Sequence, residues 1–440
     1  MASTYLSRTL GTATNRKKFT ISLWFKKVSN SGTQQFLDTR VDSNNQDGFK
    51  IHSSQALKIN GYESSTTYEL QTNAILRDIS AWYHAVVSFD STQSTSTDRL
   101  KMYLNGEQIT SFSGATYPSL NFEPLLNKNI AHFIGSTGNS NYFDGYMNNF
   151  VFVDGTALTP SSFGETDSTS GIWKFKSPSG VTFGNNGFHL KFDNSANLGL
   201  DSSGETNNFT LSGNGRQAKD TPTNVFATLN TLERLGGSIT VSNGNTQFFN
   251  QASDWRTIIS NLAFPNTGKF YAEMQVNEVS SAVQVGIMAQ SSFVSHFQAD
   301  LGTQGQYNSY AYLNTGQKRT NNSASNYGGS FSGGIIGIAV DMDNKNIYFS
   351  KDGVWQDSGN PESGATGTGA AFTDLQIDKD YCFAVASQGS NPKVSWNFGN
   401  GYFGTTAISS AGSNGNGSLF EFDVPSGYYA LNTKNINTYG

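Results

Sequence analysis

The chain predicts an all-β protein built from two tandem antiparallel β-sandwiches of the jelly-roll kind, and three observations lead there. Charged residues make up only 14% while Gly alone fills 46 positions, a balance suited to short strands joined by tight turns. Segments such as 19–25 and 268–276 alternate apolar and polar residues with the period-two pattern of half-buried strands. Finally, residues 214–237 sit near the middle of 440 residues, with about two hundred residues of strand-like segments on each side, a usual domain size.

In the first run, Phe19, Ile21, Leu23 and Phe25 share one face of a strand, with Thr20, Ser22 and Trp24 on the other. Short strands follow at 34–39, 48–52 and 56–60, then a clear one at 82–89. Residues 100–104 run into Asn105-Gly106, a strong hairpin signal, and 108–112 returns. Strands at 130–134 and 142–153 come next, then a helical turn at 158–163 with Pro160 near its start. Residues 188–192, joined by 208–211, close the run.

The order of Trp24, Trp82-Tyr-His84-Ala, Tyr103-Leu-Asn-Gly106, Ile134-Gly135 and the stretch from Tyr142-Phe-Asp-Gly to Ala-Leu158 resembles the laminin-G-like or concanavalin-A-like jelly roll. The resemblance covers about residues 1–200 of a domain set at 1–213 and implies two packed antiparallel sheets.

The second run begins with strands at 238–241 and 247–249, and Phe270, Ala272, Met274 and Val276 then share one strand face. Gly268-Lys-Phe-Tyr-Ala-Glu273, Val285-Gly-Ile287, Gly334 to Asp341, Ile347-Tyr-Phe-Ser-Lys-Asp-Gly353 and Val394-Ser-Trp-Asn-Phe-Gly399 resemble a SPRY domain in their order. That domain is set at 238–404 and implies a second sandwich. Residues 405–440 read as a Gly/Ser/Asn-rich loop with a last strand pair at 419–424 and 428–431. Between the domains, the glycines and Pro222 of 214–237 interrupt regular structure, whereas Val225, Phe226, Leu229 and Leu232 are more apolar than a free tether needs. The expectation is a seam packed on one or both sandwiches.

Net charge is −5, with 16 basic and 17 acidic residues up to position 215 and 12 basic and 16 acidic after it. Neither half offers the basic face that nucleic acid requires, so no nucleic-acid partner is expected. The N-terminus has no apolar signal segment, and no run of about 18 apolar residues exists to insert in a membrane. Cys382, the single cysteine, is expected to be a buried small apolar residue.

Catalytic sets are sparse, and no catalytic residue is assigned. Glu421-Phe-Asp423 and Asp341-Met-Asp343 have same-face carboxyl spacing. The first reads as a strand-end turn. In the second, Lys345 stands where a calcium loop wants an oxygen. His52, His84, His132, His189 and His296 form no HxH or HxxxH pair, so no metal is assigned. No cofactor is expected. The alternative is calcium in the first domain, where Asp38, Asp42, Asp47, Asp90 and Asp98 could supply oxygens, as in some laminin-G-like domains; turn capping is the favoured reading.

Binding is easier to argue. Tyr307, Tyr310, Tyr312, Arg319, Tyr327 and Trp355 lie in or beside polar loops of the second domain, where rings could stack on sugars or anchor peptides; SPRY domains take ligands on loops at one rim. The two modules and the intervening Asp220-Thr-Pro-Thr-Asn224-Val-Phe-Ala-Thr-Leu-Asn230 resemble structural proteins of tailed bacteriophages, especially of marine bacteria. That resemblance implies a non-enzymatic virion appendage, made in the host cytoplasm and present as a homo-oligomer or in many copies on a symmetric particle. Its partners would be other virion proteins and host-surface glycans. A glycan hydrolase on the jelly roll and an intracellular peptide-binding adaptor are the alternatives.

Overall fold

The computed structural model describes residues 3–232, 239–279, 281–293, 300–303, 305, 308–389 and 391–440. The chain divides into two units, Met1–Gln217 and Ala218–Gly440.

In the first unit an eight-stranded antiparallel sheet runs, in spatial order, Phe112–Thr116, Thr66–Ile75, Ala56–Glu63, Asn45–Ile51, Gln34–Asp42, Ala131–Ile134, Tyr5–Thr9 and Thr210–Ser212. A six-stranded sheet runs Phe188–Leu190, Gly145–Asp154, Lys18–Lys27, Tyr83–Asp90, Leu100–Leu104 and Glu107–Gln108. The alternation read in the sequence decides which side chains lie between them. Phe19, Ile21, Leu23 and Phe25 meet Phe49, Ile51, Leu57, Ile59, Tyr68 and Leu70 in one buried core. The hairpin at Asn105-Gly106 forms with positive φ at both residues (49° and 88°), the backbone that Asn-Gly tolerates best. Its return strand is short, because the chain leaves after Gln108 to join the edge of the other sheet at Phe112–Thr116. Strand Thr66–Ile75 has no counterpart in the sequence reading: its inward positions are Tyr68, Leu70 and Thr72, and the threonine interrupts the apolar pattern.

The second unit pairs a sheet of order Ile239–Ser242, Gln247–Asn250, Lys393–Asn397, Lys269–Glu278, Gly334–Asp341, Asn346–Lys351 and Val354–Trp355 with one of order Arg256–Ala263, Tyr381–Gln388, Ala282–Ala289, Ser309–Leu313, Gln317–Thr320 and Ser323–Asn326. Phe270, Met274, Val285, Ile287, Phe383 and Trp396 are central to its core. Cys382 is buried in a smaller cluster with Met288 and Ala311.

The ends of this unit depart from expectation. Residues 419–424 and 428–431 do not pair with each other. Tyr429–Ala430 instead lies parallel to Lys269–Glu278, at Phe270 and Tyr271, and a helix, Thr433–Tyr439, follows. Asn432 caps that helix by accepting from Asn435 N at 2.8 Å. The tail is thus part of the sandwich. The seam belongs to the same structure: Phe226 bridges to Asn432, Ala227 N donates to Leu431 O and Leu229 bridges to Ser260. Phe226 and Leu229 are buried, Val225 is half-buried and Leu232 is 60% exposed. The apolar centre of the seam therefore anchors the second unit, except at Leu232, where the chain has already left the surface.

Candidate functional site

The outward face of the eight-stranded sheet in the first unit carries an ordered set of polar groups. The strands put Leu57, Ile59, Phe49, Tyr68 and Leu70 inward, so the alternate residues point away from the core. Register sets them in rows. Phe133, Asp38, Gly48, Asn60, Glu69 and Thr116 lie opposite one another in turn, and Gln35, Lys50, Lys58, Gln71 and Gly114 form the next row. The glycines keep the face low: a Cβ on Gly48 would collide with the Gln35 side chain, and one on Gly114 with the Glu69 carboxylate. At one end Tyr5 stands edge-on to Phe133 at 6.0 Å between ring centres and 6.4 Å from Tyr142, all three half-buried.

Most charges on this face are matched. Arg40 Nε donates to Asp38 Oδ1 at 2.9 Å and its Nη2 to Oδ2 at 3.2 Å, while Gln35 Nε2 donates to Oδ2 at 3.0 Å. Burial raises the Asp38 pKa, and Arg40 opposes that rise. Lys58 Nζ sits 2.7 Å from Glu69 Oε2. Lys50 Nζ has neither hydrogen bond nor ion pair among the described residues. Burial first, and then the adjoining Lys58, hold it below the usual lysine value, against a weaker pull from Asp38 and Glu69, which lie out of contact and pair with Arg40 and Lys58. Asn60 Oδ1 is occluded and without a hydrogen bond.

The residues expected to bind in the second unit are placed differently. Tyr310 and Tyr312 are inward positions of strand Ser309–Leu313 and have no exposed surface. Tyr310 OH donates to Asp374 O at 2.9 Å and Tyr312 OH to Gly329 O. Tyr327 is 7% exposed and donates to Gly369 O. All three are core rings: Tyr310 and Tyr312 sit in a fully buried strand that polar neighbours on either side disguised, and Tyr327 is a loop ring folded into the core. Arg319 pairs with Asp300. Trp355 is half-buried, edge-on to Tyr271 and Tyr348. Tyr307 lies outside the described residues.

The acids weighed for calcium do not converge. Among the described residues no group of three or more His, Cys, Asp or Glu could hold a metal ion. Asp38 points outward to Arg40, whereas Asp47 points inward and accepts from Leu126 N at 3.0 Å. Asp42 caps the turn at Asn44, Asp90 accepts from Thr92 and Gln93, and Asp98 pairs with Lys101. The spaced pairs are likewise occupied. Asp341 accepts from Asn344 and Lys269, Asp343 from Gly268 N, Glu421 from Ser409 and Asp423 from Ser413 N.

The outer face of the six-stranded sheet holds a serine–histidine contact. His84 Nε2 and Ser22 Oγ are 2.8 Å apart, with the imidazole stacked on Trp24 and nearly coplanar with Trp173 at its edge. Trp173 Nε1 donates to His84 Nδ1 at 2.9 Å. Nδ1 must therefore be the bare nitrogen and Nε2 the protonated one, facing the serine. A base for Ser22 would need the opposite tautomer, and burial holds His84 down to about 3. A cleft of about 440 Å³ nearby, lined by Thr156, Ser161, Lys176 and Thr182, contains no aromatic ring.

Three histidines of this unit are buried, and burial lowers all three: His84 to about 3, His132 and His189 to about 4. Each binds its proton less readily folded than unfolded, so its stabilising contribution is present above the ordinary value of 6.5 and lost as pH falls below it. Asp47, raised by burial to about 7, acts in the opposite sense over pH 4 to 7. Asp38 and Asp144 are also raised by burial and act with Asp47, but the three histidines carry the larger combined shift. Calorimetry should show the first unit's transition falling between pH 6.5 and 4, with NMR imidazole signals unshifted down to about pH 5 until the unit unfolds.

Two family models match the chain. Residues 2–162 match the concanavalin A-like lectin/glucanases superfamily, and residues 268–401 match the SPRY domain. The chain therefore carries a concanavalin A-like domain followed by a SPRY domain. No curated protein matches it. Among solved structures it is similar to the SPRY domain of human HERC1, at 16% identity and TM-score 0.30, covering 38% of this chain and 96% of that one. It is also similar to stonustoxin, at 15% and 0.29, covering 39% of this chain and 27% of that one. A third similarity is to domain 4 of AbnA, a GH43 extracellular arabinanase from Geobacillus stearothermophilus in complex with arabinotriose, at 20% and 0.26, covering 33% and 64%.

Proposed function

We propose that this pairing of a concanavalin A-like domain with a SPRY domain is a non-enzymatic recognition protein that binds glycan on the outward face of the first unit's eight-stranded sheet. One observation carries the choice between a lectin-like and a glucanase-like role. The two carboxylates of that face, Asp38 and Glu69, sit on strands three steps apart, with Gly48 and Asn60 between them. Three strand spacings are about 14 Å. Retaining hydrolysis needs carboxyls about 5 Å apart and inverting hydrolysis about 6.5–9.5 Å. Each carboxylate is also held by its own cation, Arg40 or Lys58.

The test is a panel of polysaccharides offered to the full chain, with binding and reducing-end release measured together. Binding without turnover is the expected result. Sustained turnover lost on a single carboxylate substitution would overturn the reading. We further propose that the protein is a tail or capsid appendage of a virion, present in several copies and touching other virion proteins as well as host glycans. The support is the order of the two modules and the joining segment 220–230. Antibody labelling of purified particles tests this; a protein confined to the cytoplasmic fraction would sink it.

A further inference from the structure

The charge balance of the sheet face narrows the kind of glycan, an inference that rests on the glycan-binding reading above. Arg40 is matched by Asp38 and Lys58 by Glu69. That leaves Lys50, between Gln35 and Lys58 in the register, with no counter-ion in contact among the described residues. His52, just past the end of the same strand, has Nδ1 on Ser54 Oγ at 2.9 Å and adds no negative charge. A half-buried ammonium without a partner is costly, and a neutral sugar would cover it without relieving that cost. An anionic group would complete it with a charge-assisted bond.

We infer that this face takes an acidic oligosaccharide, its carboxylate or sulfate received by Lys50 and a further sugar ring stacked on Phe133 and Tyr5. Phe133 is two strands from Lys50's strand and one row along it. Strand spacing and rise make that about 12 Å, the span of a short oligosaccharide rather than a single sugar. The layout is one cation without a contacting counter-ion at one end, rings at the other and polar side chains between.

The full chain is offered an array of uronate-, sialate- and sulfate-bearing saccharides beside their methyl-esterified or desulfated counterparts. Affinities for the hits are then measured for the wild type, Lys50→Gln and Lys345→Gln, an exposed lysine of the second unit. The expected result is binding to acidic members that weakens with rising salt and falls about tenfold or more in Lys50→Gln. Lys345→Gln should bind as the wild type does. Lys50→Gln removes an unpaired charge, so its melting temperature should be unchanged or raised, which separates lost contact from lost fold. Equal binding of neutral and acidic saccharides, insensitive to Lys50→Gln, would overturn the inference and leave the glycan-binding function standing. No binding to any saccharide would overturn both. Uronate and sulfate hits distinguish the two sources of the anion.

Discussion

Replacing Glu273 by alanine is expected to free residues 409–424 from the second unit and to lower its stability by about 3 kcal/mol. The Glu273 side chain is fully buried and organises that segment. Its Oε2 accepts from Glu421 N at 2.8 Å and Asn397 Nδ2 at 3.2 Å, and its Oε1 from Phe422 N at 2.9 Å and Tyr271 OH at 3.2 Å. Alanine would strand those donors. The unit's melting temperature should fall by roughly 10 °C, and proteolysis should cut first within 409–424. The residue also sets a pH dependence. Burial pushes Glu273 up to about 7 from 4.5, against the pull of its donors. The folded state holds the proton more tightly, so this stabilisation is complete below pH 4.5 and is lost as pH rises through 7. It amounts to about 3 kcal/mol across that window. Acidification from pH 7 to 5 should therefore raise the second unit's transition while the first unit's falls. In Glu273→Gln, which cannot titrate, the second unit's transition should no longer move with pH in this window.

Phe226→Ser is expected to cost the second unit about 3–5 kcal/mol, the range for truncating a buried aromatic. The ring is 2% exposed, packed with Tyr271, Phe420, Tyr428 and Ala430. Its neighbour Gly399 has φ of 107°, and a Cβ there would lie 3.0 Å from the Phe226 ring, so the fit is close on both sides. A melting temperature within a degree of wild type would show that the segment is a tether after all. Leu232→Ser, at a 60% exposed site, is the control and should change little.

Much of the fold was legible because strand alternation is a local property. The residues at 19–25 and 268–276 reach the core on the faces their pattern implies. Non-local contacts left no such signal. The parallel docking of Tyr429–Ala430 depends on an open stretch beside Phe270 and Tyr271, more than a hundred and fifty residues earlier. The candidate site was less legible for the same reason. Gln35, Asp38, Lys50, Asn60 and Glu69 are scattered polar residues in sequence, and only the register of four strands brings them side by side. The tyrosines at 310 and 312 misled because Asn308 and Asn314 flank them, so a fully buried strand looked like a polar loop. A count of alternate positions in Ser-Tyr-Ala-Tyr-Leu was the signal available.

The interlocking of Val225, Phe226 and Ala227 with Leu431, Asn432 and Thr433 has a consequence for biosynthesis. The earliest-made and latest-made parts of the second unit are neighbours, with Thr433 N donating to Val225 O at 2.9 Å. A ribosome must carry the chain past Thr433, and extrude it, before that closure can form. The first unit has a like wait, for Thr210–Ser212 to reach Tyr5–Thr9, but that stretch has emerged long before. Folding during synthesis should thus proceed in two steps, with the second unit's half-built sheets exposed until Thr433 has emerged.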